Sequence, residues 1–484
     1  MRSGCYECDI TPPLGMERPG NYTKTYVTSV HDPLKVRAAV FDSGSTRAAV
    51  VSVDTCAVGA RLVAEARARI QKRCGIPAEH VLIAASHTHS GGPLFGWMAA
   101  DFADAPKRVR ELAVDESVVI DPIYQEWAIA QIATAVAQAD QQKREVKLSF
   151  DTGRAPGVAF NRRFRMKNGR VYTHPGKGNP GIVAPAGPVD DEVGVLGIWG
   201  AGRELLGCIV NFACHATTSP GGISADWIYF LEQTIRGALG QHAIVLFVSG
   251  AAGDVTQIDN QSRREDELGE HWSRVVGATV GAEAVRLLSC ARPREAQELS
   301  VRRSVLDIPR RLPSATRLAE ARRIVENSTP PVEKNEWEAG AATTEFLMSK
   351  ELVVLDQLVR QNSSASVEIQ ALQIGPSLWL ANGAEYFSES GLAIKRGSPF
   401  PRTQIITLAN GALGYVPPAD AFLPSGGGYE TVLTSYSNLR INAADDISVE
   451  SVKLARQFSA PLSDEASPPP SKEWAYGILG PDLD

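Results

Sequence analysis

Apolar positions along the chain fall into two patterns: short β-rich runs, and longer stretches with helical spacing. Val36–Phe41 and Ala48–Val53 are apolar runs separated by Asp42-Ser43-Gly44-Ser45, which predicts a hairpin. Leu62, Val63, Ala66 and Ile70 recur at helical spacing within 60–74, and Gly75 and Pro77 close that helix. Val81–Ala85 predicts a short buried strand, with Gly91, Gly92 and Pro93 as the turn beyond it. A second helix is expected over 122–142. Leu205–Cys214 predicts a strand, Asp226–Leu239 a helix, and Ala243–Val248 another strand before a glycine-rich turn at 250–253. The stretches 264–289 and 314–361 are helical and charged, and strands return at 367–374, 377–382 and 403–409. Asp9-Ile10-Thr11-Pro12-Pro13 predicts the end of a first strand.

No internal repeat or dividing linker is visible. The expectation is one mixed α/β domain over 1–460, with central sheets flanked by helices and a helical insertion at about 312–364. Residues 461–484, with Pro468-Pro469-Pro470, predict a surface tail.

Composition narrows the choice of partners. A length of 484 residues with 44 % hydrophobic content can bury a sizeable core. The net charge of −6, without a basic stripe, argues against nucleic acid or an anionic membrane surface as partner. No signal-peptide core or membrane-spanning run is present, and the seven cysteines are dispersed among apolar neighbours. Reduced thiols in a cytoplasmic protein are therefore expected. Cys5-Tyr6-Glu7-Cys8 is a lone CxxC with no second pair or histidines to complete a metal knuckle.

Candidate chemistry gathers at strand ends, where side chains converge on a crevice held by a rigid sheet. His87 and His89 follow the strand 81–85, and on extended chain they would project to the same side. An isolated HxH is as readily a polar loop edge. The setting recurs, however: His215 ends the next strand, Gly253-Asp254-Val255-Thr256 follows a third, and Glu385 follows Leu378–Asn382. Two histidines with a carboxylate and a further oxygen donor suit Zn²⁺. Asp226 and the pair Asp190-Asp191 are assigned to structural caps.

These pieces together resemble the neutral/alkaline non-lysosomal ceramidase family in its N-terminal catalytic domain. They include Asp9-Ile10-Thr11-Pro12, His31-Asp32-Pro33-Leu34, Ser86-His87-Thr88-His89-Ser90-Gly91 and Asn161-Arg162. Asn211-Phe212-Ala213-Cys214-His215, Gly253-Asp254-Val255-Thr256, Gly383-Ala384-Glu385, Gly414-Tyr415 and Tyr429-Glu430 follow in the family's order. The resemblance implies one Zn²⁺ per chain, held by His87, His215, Glu385 and Tyr415. It implies that His89 stands beside the metal to handle a proton or polarise the scissile carbonyl. Arg162 and Tyr429 match residues that contact the substrate's polar atoms and suit an oxyanion. Asp254 is expected either to orient a histidine or to serve as a helix cap or Asx turn after Gly253.

Two departures turn the expectation away from ceramide itself. The serine that has a catalytic or substrate-binding part in the family is replaced by Thr256, followed by Gln257-Ile258; threonine keeps the hydroxyl and adds a methyl. Family members also carry an immunoglobulin-like domain that this chain lacks, and no interfacial apolar helix is apparent for extracting a lipid. The expected function is zinc-dependent hydrolysis of an amide in an N-acyl or other small soluble substrate. An esterase or lactonase on the same site, a true ceramidase and a non-catalytic ligand-binding descendant are the alternatives. The oligomeric state is not legible in the sequence.

Overall fold

The computed structural model describes residues 1–20, 22, 24–328 and 341–459. The tail expected at 461–484 lies outside the described residues, as does the middle of the expected insertion.

Three sheets built on four strands each share one core, the first with a fifth, two-residue strand (Arg144–Glu145) at its edge. In the first, β1 (Arg2–Asp9), β2 (Lys35–Asp42) and β3 (Arg47–Val53) are antiparallel neighbours. Helix α1 (Ala60–Cys74) then crosses back, so that β4 (Val81–Ala85) lies parallel to β3. Helix α2 (Pro122–Gln141), capped by the Asp121 side chain, follows.

The second unit repeats this plan. Strands β5 (Lys147–Arg154), β6 (Glu192–Trp199) and β7 (Leu205–Phe212) are antiparallel. Helix α3 (Trp227–Leu239) then returns the chain to β8 (Ile244–Ser249), which is parallel to β7. Helix α4 (Gly269–Ser289) packs beside α3.

In the third unit, β9 (Leu299–Pro309) leads into α5 (Ala315–Asn327) and α6 (Ala341–Gln361) before pairing with β10 (Ser364–Ile374). Strand β11 (Ser377–Asn382) is antiparallel to β10, and the short β12 (Ala384–Tyr386) follows it. Helix α7 (Ser388–Gly397) then crosses to β13 (Thr403–Ile406), parallel to β11. Strand β14 (Gly414–Val416) and helix α8 (Ala443–Ala455) complete the described chain. The expected helical insertion is thus an excursion between two paired strands. The architecture repeats although the sequence shows no repeat.

One face of each sheet turns inward. Phe41 and Leu82 from the first, Phe150 and Leu246 from the second, and Trp379 and Ile406 from the third belong to one buried cluster. Outer faces are covered by helices, with Leu62, Ile132 and Trp227 in a second cluster and Ile394 and Ile447 in a third. Burial on both faces explains why the strands read as continuous apolar runs rather than as alternation. Polar links tie the units together: Ser52 Oγ donates to Phe247 O (2.5 Å), Asn211 Nδ2 to Ile405 O (3.0 Å), and Ile83 N to Asn410 Oδ1 (3.0 Å). A fourth cluster, including Phe102, Leu112, Leu347 and Leu355, joins α5 and α6 to the segment before α2.

Candidate metal centre

The three units deliver their loops to one place. The third residue beyond the third strand is Cys56 in the first unit, His215 in the second and Glu385 in the last. All three line a cavity of about 510 Å³, together with His87 and His89 from beyond β4.

The side-by-side projection expected for His87 and His89 on extended chain is not how they meet. His87 takes a left-handed conformation at φ 67°, with its N–H on Thr55 O at 2.9 Å. That twist points the two rings at one another edge-on, with centroids 4.9 Å apart.

The tautomers of two imidazoles follow from their partners. His87 Nδ1 lies 2.8 Å from Cys56 O, and His215 Nδ1 lies 2.9 Å from Val255 O. A carbonyl can only accept, so each Nδ1 carries a hydrogen and each Nε2 is the nitrogen turned to the cluster, where its lone pair is free once the ring is neutral. His87 Nε2 is 3.4 Å and His215 Nε2 is 3.5 Å from Glu385 Oε2. His87 Nε2 and Glu385 Oε2 are buried and have no hydrogen-bond partner among the described residues. Two imidazole nitrogens and a carboxylate oxygen within 4.8 Å of one another fit a divalent cation of the zinc type. The backbone carbonyls are the partners that orient the ligand rings. Cys56, His87 and His89 form a second such group, but the imidazole nitrogen that faces the Cys56 thiol is His87 Nδ1 (3.9 Å), already committed to a carbonyl.

Electrostatics at the cluster is steep. Burial opposes protonation of His87, but Glu385 and Cys56 outweigh it and push its pKa up to about 10. Burial, then Arg162 and His87, hold His215 far below the usual imidazole value. Burial works against ionisation of Glu385, and the two histidines overcome it and keep the group a carboxylate.

Tyr415 stands opposite Glu385 in the parallel pairing of β12 and β14. Its hydroxyl is 2.7 Å from that of Tyr429. Burial, then the charge of Glu385, hold the Tyr415 phenol protonated, and Arg162 opposes them. Arg162 is buried and commits four of its five N–H donors. Nε binds Glu430 at 2.9 Å, Nη2 binds Gly253 O (2.8 Å) and Tyr429 OH (2.9 Å), and Nη1 lies 3.3 Å from His215 Nε2. His89 has its Nδ1 3.4 Å from Gly20 O and its Nε2 buried without a partner. Burial, with repulsion from His87, pulls its pKa down to about 3, so it is neutral.

Asp254 of the Gly-Asp-Val turn serves as a helix cap, one of the roles expected of it, but for a helix far along the chain. Asp254 binds Asn161 Nδ2 (2.7 Å) through one oxygen and Ser388 N (2.8 Å), at the start of α7, through the other. It thus caps a distant helix rather than its own turn, and orients Arg162 through backbone, with Arg162 N on Asp254 O at 2.9 Å. A Cβ on Gly253 would lie 2.4 Å from Glu385 O, so only glycine lets this turn sit against β12. Thr256 lines the cavity with its hydroxyl on Gln257 Oε1 at 2.9 Å. Asp226 caps α3 as expected of it, accepting from Trp227 N and Thr218. Asp190 and Asp191 pair with Lys395 and Arg154.

Sequence reasoning passed over Glu430, Cys56 and His174. Glu430 is fully buried and anchors Arg162 and Thr173. Its signal was a carboxylate just past the glycine stretch 426–428, adjoining a candidate tyrosine. His174 lines the cavity with Nδ1 on Asn260 Oδ1 at 3.1 Å.

Fold and site together define an α/β protein with a buried two-histidine, one-carboxylate cluster at the floor of a cleft. Among solved structures, the neutral ceramidase from Pseudomonas aeruginosa aligns with a TM-score of 0.66 at 18 % identity, over 94 % of this chain and 74 % of that one. A ceramidase complexed with C2 aligns at 0.68 and 17 %, over 96 % and 76 %. The chain has the neutral ceramidase fold. No family model and no curated protein matches the sequence. No helix among the described residues is long and apolar enough to cross a membrane.

Proposed function

We propose that the protein is a zinc-dependent hydrolase that cleaves the amide bond of an N-acyl or related small substrate. The observation that carries this reading is the convergence of His87 Nε2, His215 Nε2 and a Glu385 oxygen in the lining of one cavity, the first and last of them buried with no partner among the described residues. Its likeness to ceramidases, proteins named for an amide substrate, supports the same reaction class.

His87, His215, Glu385 and Tyr415 would hold the cation. Such a cation supplies a water acidified towards neutrality and an electrophile for a carbonyl oxygen. The chain's own groups supply the rest. Neutral His89, with its free Nε2 in the cleft, accepts a proton and returns it to the leaving nitrogen. Arg162 and Tyr429 donate to the carbonyl oxygen as it gains charge, and Glu430 and Gly253 O fix their fork beforehand. Thr256 keeps a hydroxyl on the cavity wall, held by Gln257. A cavity of about 510 Å³ suits a ligand of drug-like size.

Metal analysis with an amide panel tests the reading. Metal-replete protein should contain one zinc per chain, lose turnover with a chelator and regain it with added zinc. His87→Ala should lose both zinc and turnover. Zinc well below one per chain, or a His87→Ala variant with full activity, would sink it.

A further inference from the structure

The lining of the cavity carries two charges that have no counter-ion among the described residues. Four fully charged side chains face this space: Arg162, Glu385, Arg310 and Glu351. Arg162 is paired with Glu430, and Glu385 with the two histidines. Arg310 and Glu351 form no ion pair with any described residue. Glu351, on α6, is 8 % exposed, and its Oε2 accepts from the Ser435 backbone N–H (3.4 Å) and hydroxyl. Arg310, just beyond β9, donates from Nη1 to Asn438 Oδ1 at 2.5 Å, while its Nε is buried without an acceptor. Burial pulls its guanidinium below the ordinary value, with no carboxylate to restore it.

Both groups are braced by the same short stretch, 435–438. Tyr436, within it, has its ring 6.2 Å from that of Tyr415. The opposite charges are therefore built into the cleft that leads to the metal-type cluster. Half-buried charges without counter-ions are costly unless a ligand supplies them. A neutral lipid amide would leave both unpaired, and a ligand with one charge would satisfy one group and leave the other exposed to its like charge.

We propose that this lining recognises a zwitterion, with an ammonium on Glu351 and a carboxylate on Arg310, so that the substrate is an amide carrying an α-amino-acid end. The scissile bond in this statement rests on the amide-hydrolase reading; the recognition of the zwitterion does not.

Calorimetry on the zinc-loaded protein with three ligands of matched tail tests it: L-norleucine, hexanoate (which lacks the ammonium) and pentylamine (which lacks the carboxylate). Norleucine should bind about tenfold or more tighter than either, as expected for one charge-assisted hydrogen bond. Glu351→Gln should bring norleucine level with hexanoate, and Arg310→Gln level with pentylamine. Wild-type protein that binds norleucine no tighter than the other two overturns the proposal, and this ranking needs no variant to fold. Glutamine variants that keep the full preference overturn it as well. Hydrolysis of Nε-acetyl-L-lysine, 6-acetamidohexanoate and N-acetylcadaverine separates the two readings. A norleucine preference without hydrolysis of any amide keeps the recognition site and removes the hydrolase. Equal kcat/KM for all three amides removes the recognition site and keeps the hydrolase.

Discussion

Arg162 organises the cleft more than any other side chain. Its guanidinium holds Tyr429, faces His215 and is locked by a buried carboxylate, and it lies 5.5 and 5.2 Å from the ring centres of Tyr415 and Tyr429. Lysine keeps the charge but not the fork. Arg162→Lys should therefore lower kcat by about 100-fold, the scale of losing one preorganised oxyanion donor, while zinc content stays at the wild-type level. Loss of zinc in parallel with kcat would assign Arg162 to the metal rather than to the substrate. At this scale the sequence was partly legible. His87, His215 and Glu385 announce themselves as polar residues ending apolar strands. The carbonyls of Cys56 and Val255 that set the two imidazole tautomers carry no side-chain signature. A helix cap was among the roles expected of Asp254, but which helix it serves was not legible, because its partner at Ser388 lies 134 residues away.

Among the elements, β2 and α3 are fastened by charge. Glu232 on α3 meets Arg37 (2.5 Å) and Lys35 (2.6 Å) of β2, and Arg236 one turn on. Burial raises its pKa, but these three cations outweigh burial and bring it from the ordinary 4.5 to about 2. A depressed carboxylate stabilises the fold above its unfolded pKa and loses that contribution as pH falls through the folded one. Glu232→Gln should thus cost on the order of 3 kcal/mol at neutral pH. The gap between wild type and variant should shrink as pH falls from about 4.5 to about 2. Denaturant titrations at several pH values measure it; a gap that widens on acidification contradicts the assignment. Most helices and central strands were legible from periodicity, and β5, β6 and β9 were not. Strand β6 carries Gly194 and Gly197, whose missing side chains admit Gln404 and Trp199. Strand β9 pairs only with β10 and keeps Arg302 and Arg303 exposed, as a sheet edge does.

On the scale of the whole molecule, three units of one plan surround a shared core, and a fourth cluster holds the excursion α5–α6 against it. The repeat is hidden from the sequence because each unit needs only apolar strands and a crossover, which many residue choices satisfy. The excursion was legible as helical charge patterning, but not its seat on the cavity wall through Glu351 and Leu358. Its cluster shares no residue with the other three. Leu355→Ala, at a fully buried position, should cost about 2–5 kcal/mol. Hydrogen exchange should report that loss in α6 with α1 and α2 still protected. Uniform loss of protection across all these helices would mean that the molecule unfolds as one unit.

The left-handed backbone at His87 makes its imidazole detachable. Glycine accepts φ 67° without the roughly 1–2 kcal/mol that a side chain costs there. His87→Gly should therefore keep the loop in place and leave a vacancy the shape of one ring beside His215 and Glu385. Free imidazole in solution should fill it and restore turnover in a saturable way. His87→Ala, still strained at that φ, should be rescued less well. If added imidazole revives neither variant, the backbone of this loop depends on the ring it carries.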